Sequence, residues 1–164
     1  MRLPDQLADA FNDQVTMELA SSVAYLQMSA HFDASNLVGM AAWMRAQAEE
    51  EREHAHRFLD FVLDRGNPVE IGAIEAPRAA FDSVEEVFET SLAQERAVTE
   101  SIHRLYRMAT DAGDLASIPF LQTFIEEQNE EEASVETILE RVRLAGGESS
   151  ALLLLDSELG ARQG

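Results

Sequence analysis

Residues 37–65 read LVGMAAWMRAQAEEEREHAHRFLDFVLDR, and this stretch decides the fold. It contains no proline and few β-branched residues, and it is rich in Ala, Met, Glu, Gln and Arg, which favour helix. Steps of four and three residues give a stripe that is apolar at both ends and polar in the middle. The stripe consists of Met40, Met44, Gln47, Glu51, His54, Phe58 and Phe61. The stretch therefore predicts one long helix whose buried face is interrupted by polar side chains.

Three other stretches, at about 5–33, 83–112 and 115–145, predict long helices with the same kind of stripe. The three stripes are Phe11, Glu18, Tyr25 and Phe32; Phe88, Leu92, Glu95, Val98, Ile102 and Leu105; and Leu121, Phe124, Gln128, Glu131, Val135, Ile138 and Val142. Ser83 and Glu86 form a capping box at the start of the third helix. We also expect the break at residues 34–36 to supply an N-cap for the second helix. A short fifth helix is predicted at about 150–159.

The connections between these helices predict their directions. Short links join helices one and two, and helices three and four, so each pair should be antiparallel. Seventeen residues separate Arg65 from Ser83, and such a segment can span up to ~56 Å. That is enough to return along a helix of roughly 43 Å. The predicted class is all-α, with a four-helix bundle domain over 1–146, one long crossover, and a short helix and tail at 147–164 of the same domain.

Composition excludes several classes of function. Thirty-one acidic residues against twelve basic ones give a net charge of −19, which repels nucleic acid and anionic lipid. Apolar runs such as residues 151–155 are far too short to span a bilayer. There is no cysteine, and residues 1–5 do not start a secretory signal, so we expect a cytoplasmic protein without nucleic-acid or membrane partners.

The polar residues in the middle of the four stripes predict a metal site. A buried carboxylate without a partner is costly, and Arg and Lys are missing from the central part of the stripes. A cation is therefore expected among Glu18, Glu51, His54 and Glu95, with Gln128 and Glu131 nearby. Carboxylates with one imidazole and no thiolate suit iron or manganese. So many carboxylates fit two ions better than one.

Simpler explanations exist for each residue taken alone. Glu-x-x-His on a helix is often accidental, a single Glu on an apolar stripe can reach water, and Tyr25 can be an ordinary core aromatic. The runs 49–51 and 130–132 can be solvated acidic faces. His31, His56 and His103 are off the shared register and are expected at the surface. Only the coincidence of four interrupted stripes favours the metal site.

Several segments together resemble the bacterial non-haem ferritins. They are residues 13–19 (DQVTMEL), 21–25 (SSVAY), 47–54 (QAEEEREH), 94–96 (QER) and 126–132 (EEQNEEE). The similarity covers essentially the whole chain. It implies a ferroxidase that oxidises Fe(II) with dioxygen or peroxide and stores the ferric product inside a hollow shell of twenty-four identical chains.

The resemblance also implies roles for individual residues. Glu18 and His54 would be terminal ligands of the first iron, Glu51 the bridging carboxylate, and Glu95 a ligand of the second iron with Gln128 nearby. Tyr25 would be the nearby oxidisable ring. A third iron site is implied beside the pair, at Glu50, Glu127, Glu130 and Glu131.

Related families fit the sequence less well. Bacterioferritins carry a second Glu-x-x-His on helix four and a haem-binding methionine after the bridging glutamate, whereas this chain has Arg52 there, so no haem is expected. Mini-ferritins of twelve chains build their centre between subunits. A rubrerythrin-like di-iron oxidase or peroxidase without storage remains an alternative, as does a structural bundle without metal.

Overall fold

The computed structural model describes residues 1–161. This part of the chain folds into five helices and contains no strand. They are α1 (Asp5–Ala34), α2 (Val38–Asp64), α3 (Val84–Asp111), α4 (Ser117–Ala145) and α5 (Ser149–Gly160). The predicted all-α class, with four long helices and a short fifth, is confirmed. The division into 1–146 and 147–164 within one domain stays a prediction, and residues 162–164 of the tail lie outside the described residues.

Ring contacts show how the first two helices run. Phe11, near the start of α1, stacks on Phe61, near the end of α2, with ring centroids 5.2 Å apart. Tyr25, in the second half of α1, meets Trp43, near the start of α2. The two helices are therefore antiparallel, as the short link between them predicts.

The crossover places α3 parallel to α2. Phe88, near the start of α3, packs against Trp43, near the start of α2, with ring centroids 5.9 Å apart. Residues 65–83 join the end of α2 to the start of α3 without a helix or strand of their own. This connection runs back along the bundle, and the predicted long crossover is confirmed.

The buried apolar residues form two separate clusters, one at each end of the bundle. One contains Tyr25, Trp43 and Phe88 and extends to Leu155 and Leu159 of α5. The other is rich in phenylalanine and comprises Phe11, Phe58, Phe124, Val98, Ile102 and their neighbours. The gap between the clusters is filled by buried polar side chains. The stripes predict such a divided core, because each is apolar at both ends and polar in the middle.

The predicted N-cap of α2 is wrong. Asn36 adopts a left-handed backbone with φ of 60°, and the Ser35 hydroxyl donates to His31 O at the end of α1 instead. The residue before α2 is Leu37, which makes no side-chain cap. The first turn is capped by Asp156 of α5, whose Oδ1 accepts from the Met40 backbone N–H at 2.7 Å. By contrast, the Ser83 cap of α3 is confirmed, since its hydroxyl accepts from Glu86 N–H.

The fifth helix lies on the start of α2 at very close range. A Cβ added to Gly39 would lie 1.8 Å from the Asp156 carbonyl oxygen, so only glycine permits this approach. Leu155 and Leu159 are buried against the bundle, whereas Leu153 and Leu154 remain exposed. Within residues 1–161, no helix combines the length and the apolar character needed to cross a membrane.

Candidate metal centre

The polar layer between the two apolar clusters receives side chains from all four long helices. Its buried members are Gln14, Glu18, Gln47, Glu51, His54, Glu95, Gln128 and Glu131. Each of them continues the apolar face of its helix, so burial of that face carries the polar side chain inward with it. The layer therefore brings together most of the predicted ligands.

Glu18, Glu51 and His54 form the tightest group in this layer. One ligand atom from each of the three lies within 4.8 Å of the others, and all three side chains are buried. Glu51 and His54 share one face of α2 because they are three residues apart. His54 Nδ1 lies 3.5 Å from Glu51 Oε2. These three donors are close enough to share a single cation.

Several buried donor and acceptor atoms in the layer have no hydrogen-bond partner. In residues 1–161 these are Glu18 Oε2, both carboxylate oxygens of Glu51, His54 Nδ1 and Gln128 Oε1, besides Asn12 Oδ1 and Ser29 Oγ elsewhere. Unpaired buried polar atoms are rare and costly. Four unpaired oxygens from two carboxylates and one amide, together with an imidazole nitrogen, are donors of the kind that a hard cation needs.

Glu95 occupies the opposite side of the layer, with more partners. The Tyr25 hydroxyl donates to Glu95 Oε1 and lies 2.9 Å from Ser91 Oγ. Gln128 Nε2 donates to Glu95 Oε2 at 3.2 Å and also to Thr99 Oγ1. Glu95 is thus held in place by its neighbours, and Tyr25 is a fully buried phenol whose hydroxyl reaches the layer.

The electrostatics of the layer favour protons or metal ions. Burial raises the pKa of Glu18 well above its usual value, and the Glu51 carboxylate raises it further. Burial and the Glu95 carboxylate raise the pKa of Glu51 in the same way. Burial also raises the pKa of Glu95 and of Tyr25. The layer concentrates acids whose charges need a positive partner.

The residues predicted for a third site lie on the α2 and α4 side of the layer. Glu131 is buried, and its Oε2 accepts from Gln47 Nε2 at 2.9 Å. Glu127 is half-buried, with one oxygen 3.3 Å from His54 Nε2. Glu50 is half-buried and Glu130 is exposed. The structure brings Glu127 against the central group and places Glu130 at the surface.

A match to a family model decides the family. Residues 8–145 match the model described as the ferritin-like domain, which covers the four long helices and every predicted ligand. The chain belongs to the ferritin family.

Relatives and solved structures agree with this membership. The bacterial non-heme ferritin of Staphylococcus aureus is 39% identical over 160 residues, covering 98% of this chain and 96% of the relative. That of Staphylococcus saprophyticus is also 39% identical over the same length. A crystal structure described as a novel open pore ferritin from Archaeoglobus fulgidus superposes with a TM-score of 0.96 at 42% identity, covering 98% of both chains.

This ferritin also has residues at the layer that the stripes did not predict. Arg57 donates from Nη1 to both oxygens of Glu127, at 3.0 and 2.7 Å, and the stripe missed it because it lies one position before Phe58. Gln14 was missed because the first stripe was followed at seven-residue steps only. Extending that stripe four residues back from Glu18 finds it.

The histidines outside the register behave differently from one another. His56 is exposed, whereas His31 and His103 are half-buried. His31 packs against Phe81 of the crossover with ring centroids 5.2 Å apart. The prediction that all three lie at the surface is therefore correct for His56, whereas His31 and His103 are only partly exposed.

Proposed function

We propose that this iron-storage protein oxidises Fe(II) at the buried polar layer, with dioxygen or peroxide as the electron acceptor. The observation that carries the proposal is the set of unpaired buried atoms on Glu18, Glu51, His54 and Gln128. Such a set is costly in a bundle without metal and is satisfied by cations. Iron is the substrate of the reaction, and each Fe(II) gives up one electron to the acceptor.

The positions of the side chains support distinct roles in binding two irons. Glu18 and His54 are proposed as terminal ligands of the first iron, because Glu18 Oε2 and His54 Nδ1 are both unpaired and the two residues belong to the same close group. Glu51 is proposed as the bridge, since neither of its oxygens is engaged. Glu95 serves the second iron, with Gln128 beside it.

Tyr25 is proposed as a redox-active neighbour rather than a ligand. Its hydroxyl already donates to Glu95, and burial with the Glu95 carboxylate raises its pKa. The phenol therefore stays protonated and can supply an electron and a proton together. Substituting Tyr25 with Phe keeps the ring and removes the hydroxyl, and with it both this capacity and the hydrogen bond to Glu95.

We propose a third iron site at Glu50, Glu127, Glu130 and Glu131, which is supported by the acidic α2 and α4 side of the layer. Glu127 has two other partners, Arg57 and His54, so its substitution would disturb more than this site. Glu130→Ala is the cleaner variant because Glu130 is exposed. Anomalous diffraction after iron soaking should show a weaker third peak and an unchanged pair, and an unchanged third peak would refute the site.

The stored iron is proposed to collect inside a closed shell of twenty-four copies of the chain, in the cytoplasm. The ferritin relatives support assembly into a shell. Sedimentation velocity of the purified protein measures the number of chains directly. A dimer or a twelve-chain particle as the main species would contradict the proposal.

One titration tests storage against the alternatives. Fe(II) is added aerobically to the metal-free protein, and the iron retained per chain is measured after gel filtration. Storage predicts iron far in excess of the ligand sites, a di-iron oxidase or peroxidase predicts about two ions per chain, and a structural bundle predicts none. Retention of two ions or fewer would overturn the proposed function.

A further inference from the structure

A buried glutamine holds one oxygen of Glu18 away from the rest of the layer. Gln14 lies one helical turn before Glu18 on α1 and is fully buried. Its Nε2 donates to Glu18 Oε1 at 2.8 Å. The other oxygen, Oε2, has no hydrogen-bond partner, and the Glu18 carboxylate supplies one ligand atom to the group with Glu51 and His54. The two oxygens of this carboxylate therefore differ in what they can bind.

A serine on α3 fixes which way the Gln14 amide points. The Ser101 hydroxyl donates to Gln14 Oε1 at 2.6 Å. With its oxygen accepting from this hydroxyl, the amide turns its nitrogen toward Glu18. The flipped amide would place its oxygen against the Glu18 carboxylate, which only accepts when ionised, and would lose the hydrogen bond to Oε1. The chain from Ser101 through Gln14 to Glu18 thus has one favourable arrangement.

We propose that Gln14 and Ser101 are positioning residues that make Glu18 a ligand through Oε2 alone. When Glu18 is ionised, as it is when it binds a cation, the amide occupies Oε1 with a charge-assisted hydrogen bond, which is stronger than a neutral one. Glu18 then binds the first metal ion with one oxygen, which leaves coordination positions for a second ligand or an oxidant. Hydrogen bonds that orient a ligand in this way are a general feature of metal sites.

This inference rests on the proposed metal centre, and Co(II) binding tests the inference and the metal centre separately. Co(II) is added without oxygen to the metal-free wild-type protein and to Gln14→Leu, and the visible absorption is recorded. In the variant we expect weaker bands, because Glu18 becomes free to bind with both oxygens and raises the coordination number. Zn(II) affinity measured by calorimetry should fall by about 10- to 100-fold. Gln6→Leu, at an exposed position of α1, is the matched control and should match the wild type.

A second pair of variants keeps the inference testable if Gln14→Leu fails to assemble. Ser101→Thr retains the hydroxyl and should keep the wild-type spectrum and affinity. Ser101→Val has nearly the same shape without the hydroxyl and should shift both toward the Gln14 variant. Wild-type protein that binds Co(II), together with unchanged spectra in Gln14→Leu and Ser101→Val, would overturn the inference alone. Wild-type protein that binds no Co(II) in the layer would overturn the metal centre itself.

Discussion

At the scale of single residues, the buried layer is costly without metal, and the cost is concentrated in a few carboxylates. Glu51 is buried with both oxygens unpaired, and burial with nearby carboxylates raises its pKa well above the usual value. Glu95 has a similar burial but keeps donors from Tyr25 and Gln128. Glu51 is therefore the residue that costs the metal-free protein the most stability and is, at the same time, the most available to bind metal.

Removing the Glu51 carboxylate should damage function without damaging the fold. Glu51→Gln keeps the shape of the side chain, and we expect the initial rate of Fe(II) oxidation to fall by more than about 100-fold, since loss of even an outer partner costs up to that much. The thermal midpoint of the metal-free variant should equal or exceed that of the wild type, because a buried charge is removed. Stopped-flow absorbance and calorimetry measure the two effects.

Glu53→Gln is the control for this variant, because Glu53 is exposed on the same helix. It should oxidise Fe(II) at the wild-type rate. Equal oxidation rates in the Glu51 variant and the wild type would remove Glu51 from the centre.

The same carboxylate predicts how the stability of the metal-free protein depends on pH. With its raised pKa, Glu51 binds a proton more tightly in the folded than in the unfolded chain, so its contribution to stability is present at low pH. This contribution is lost as the pH rises from the unfolded pKa of about 4.3 through the raised folded pKa. The stability advantage of Glu51→Gln over the wild type should therefore grow as the pH rises through this window. Urea unfolding of both proteins at several pH values measures it, and an advantage that shrinks with rising pH would contradict the assignment.

At the scale of the helices, the start of α2 depends on a residue more than a hundred positions away in the sequence. Asp156 accepts from Met40 N–H at 2.7 Å and is buried. Gly39 permits the contact, because a Cβ there would overlap the Asp156 carbonyl. The cap of α2 is therefore also one of the contacts that attach α5 to the bundle.

Substituting Asp156 with Ala should loosen both elements together. Loss of an N-cap costs about 0.5–2 kcal/mol, which corresponds to a fall of a few degrees in the thermal midpoint of a protein of this size. Hydrogen exchange should rise in the first turn of α2 and throughout α5. Glu158→Ala on the same helix breaks only an exposed pair with Arg141 and should change the midpoint very little. Equal effects of the two substitutions would show that the cap contributes nothing.

The helices and the centre of the site could be predicted because their signals are local in the sequence. The Asp156 cap has no such local signal. Helical periodicity and glycines such as Gly146, which adopts a left-handed φ of 58°, are local signals. Glu18, Glu51, His54, Glu95 and Gln128 were found because each interrupts an apolar stripe. The Asp156 cap and the Arg57 pairing with Glu127 depend on which helices meet, and a single stripe carries no information about that.

At the scale of the whole molecule, the net charge of −19 and the buried acids act in the same direction. The field of an acidic protein raises the local concentration of cations and repels anions. A buried layer rich in carboxylates then offers those cations their preferred ligands. An acidic surface around an acidic centre is a physical reason for an iron-storage protein to attract its cation.

The exposed leucines of α5 should hold neighbouring copies of the chain together. Leu153 and Leu154 are 56% and 63% exposed, whereas Leu155 and Leu159, on the opposite face, are buried in the subunit. Truncation after Gly147 would remove both faces of α5 at once. Because α5 also covers part of the core, such a truncation would affect both the shell and the bundle.

Substituting only the exposed face separates assembly from folding. Leu153→Gln with Leu154→Gln should leave far-UV circular dichroism and the Co(II) spectrum unchanged, because neither side chain is part of the core. The double variant should form smaller or more readily dissociating particles and retain less iron, since burial of each leucine between subunits contributes about 1.5–3 kcal/mol. Leu155→Ala should instead lower the thermal midpoint of the subunit, because it leaves a cavity in the core. Sedimentation velocity distinguishes the two, and a double variant that assembles and retains iron like the wild type would show that this face has no role in the shell.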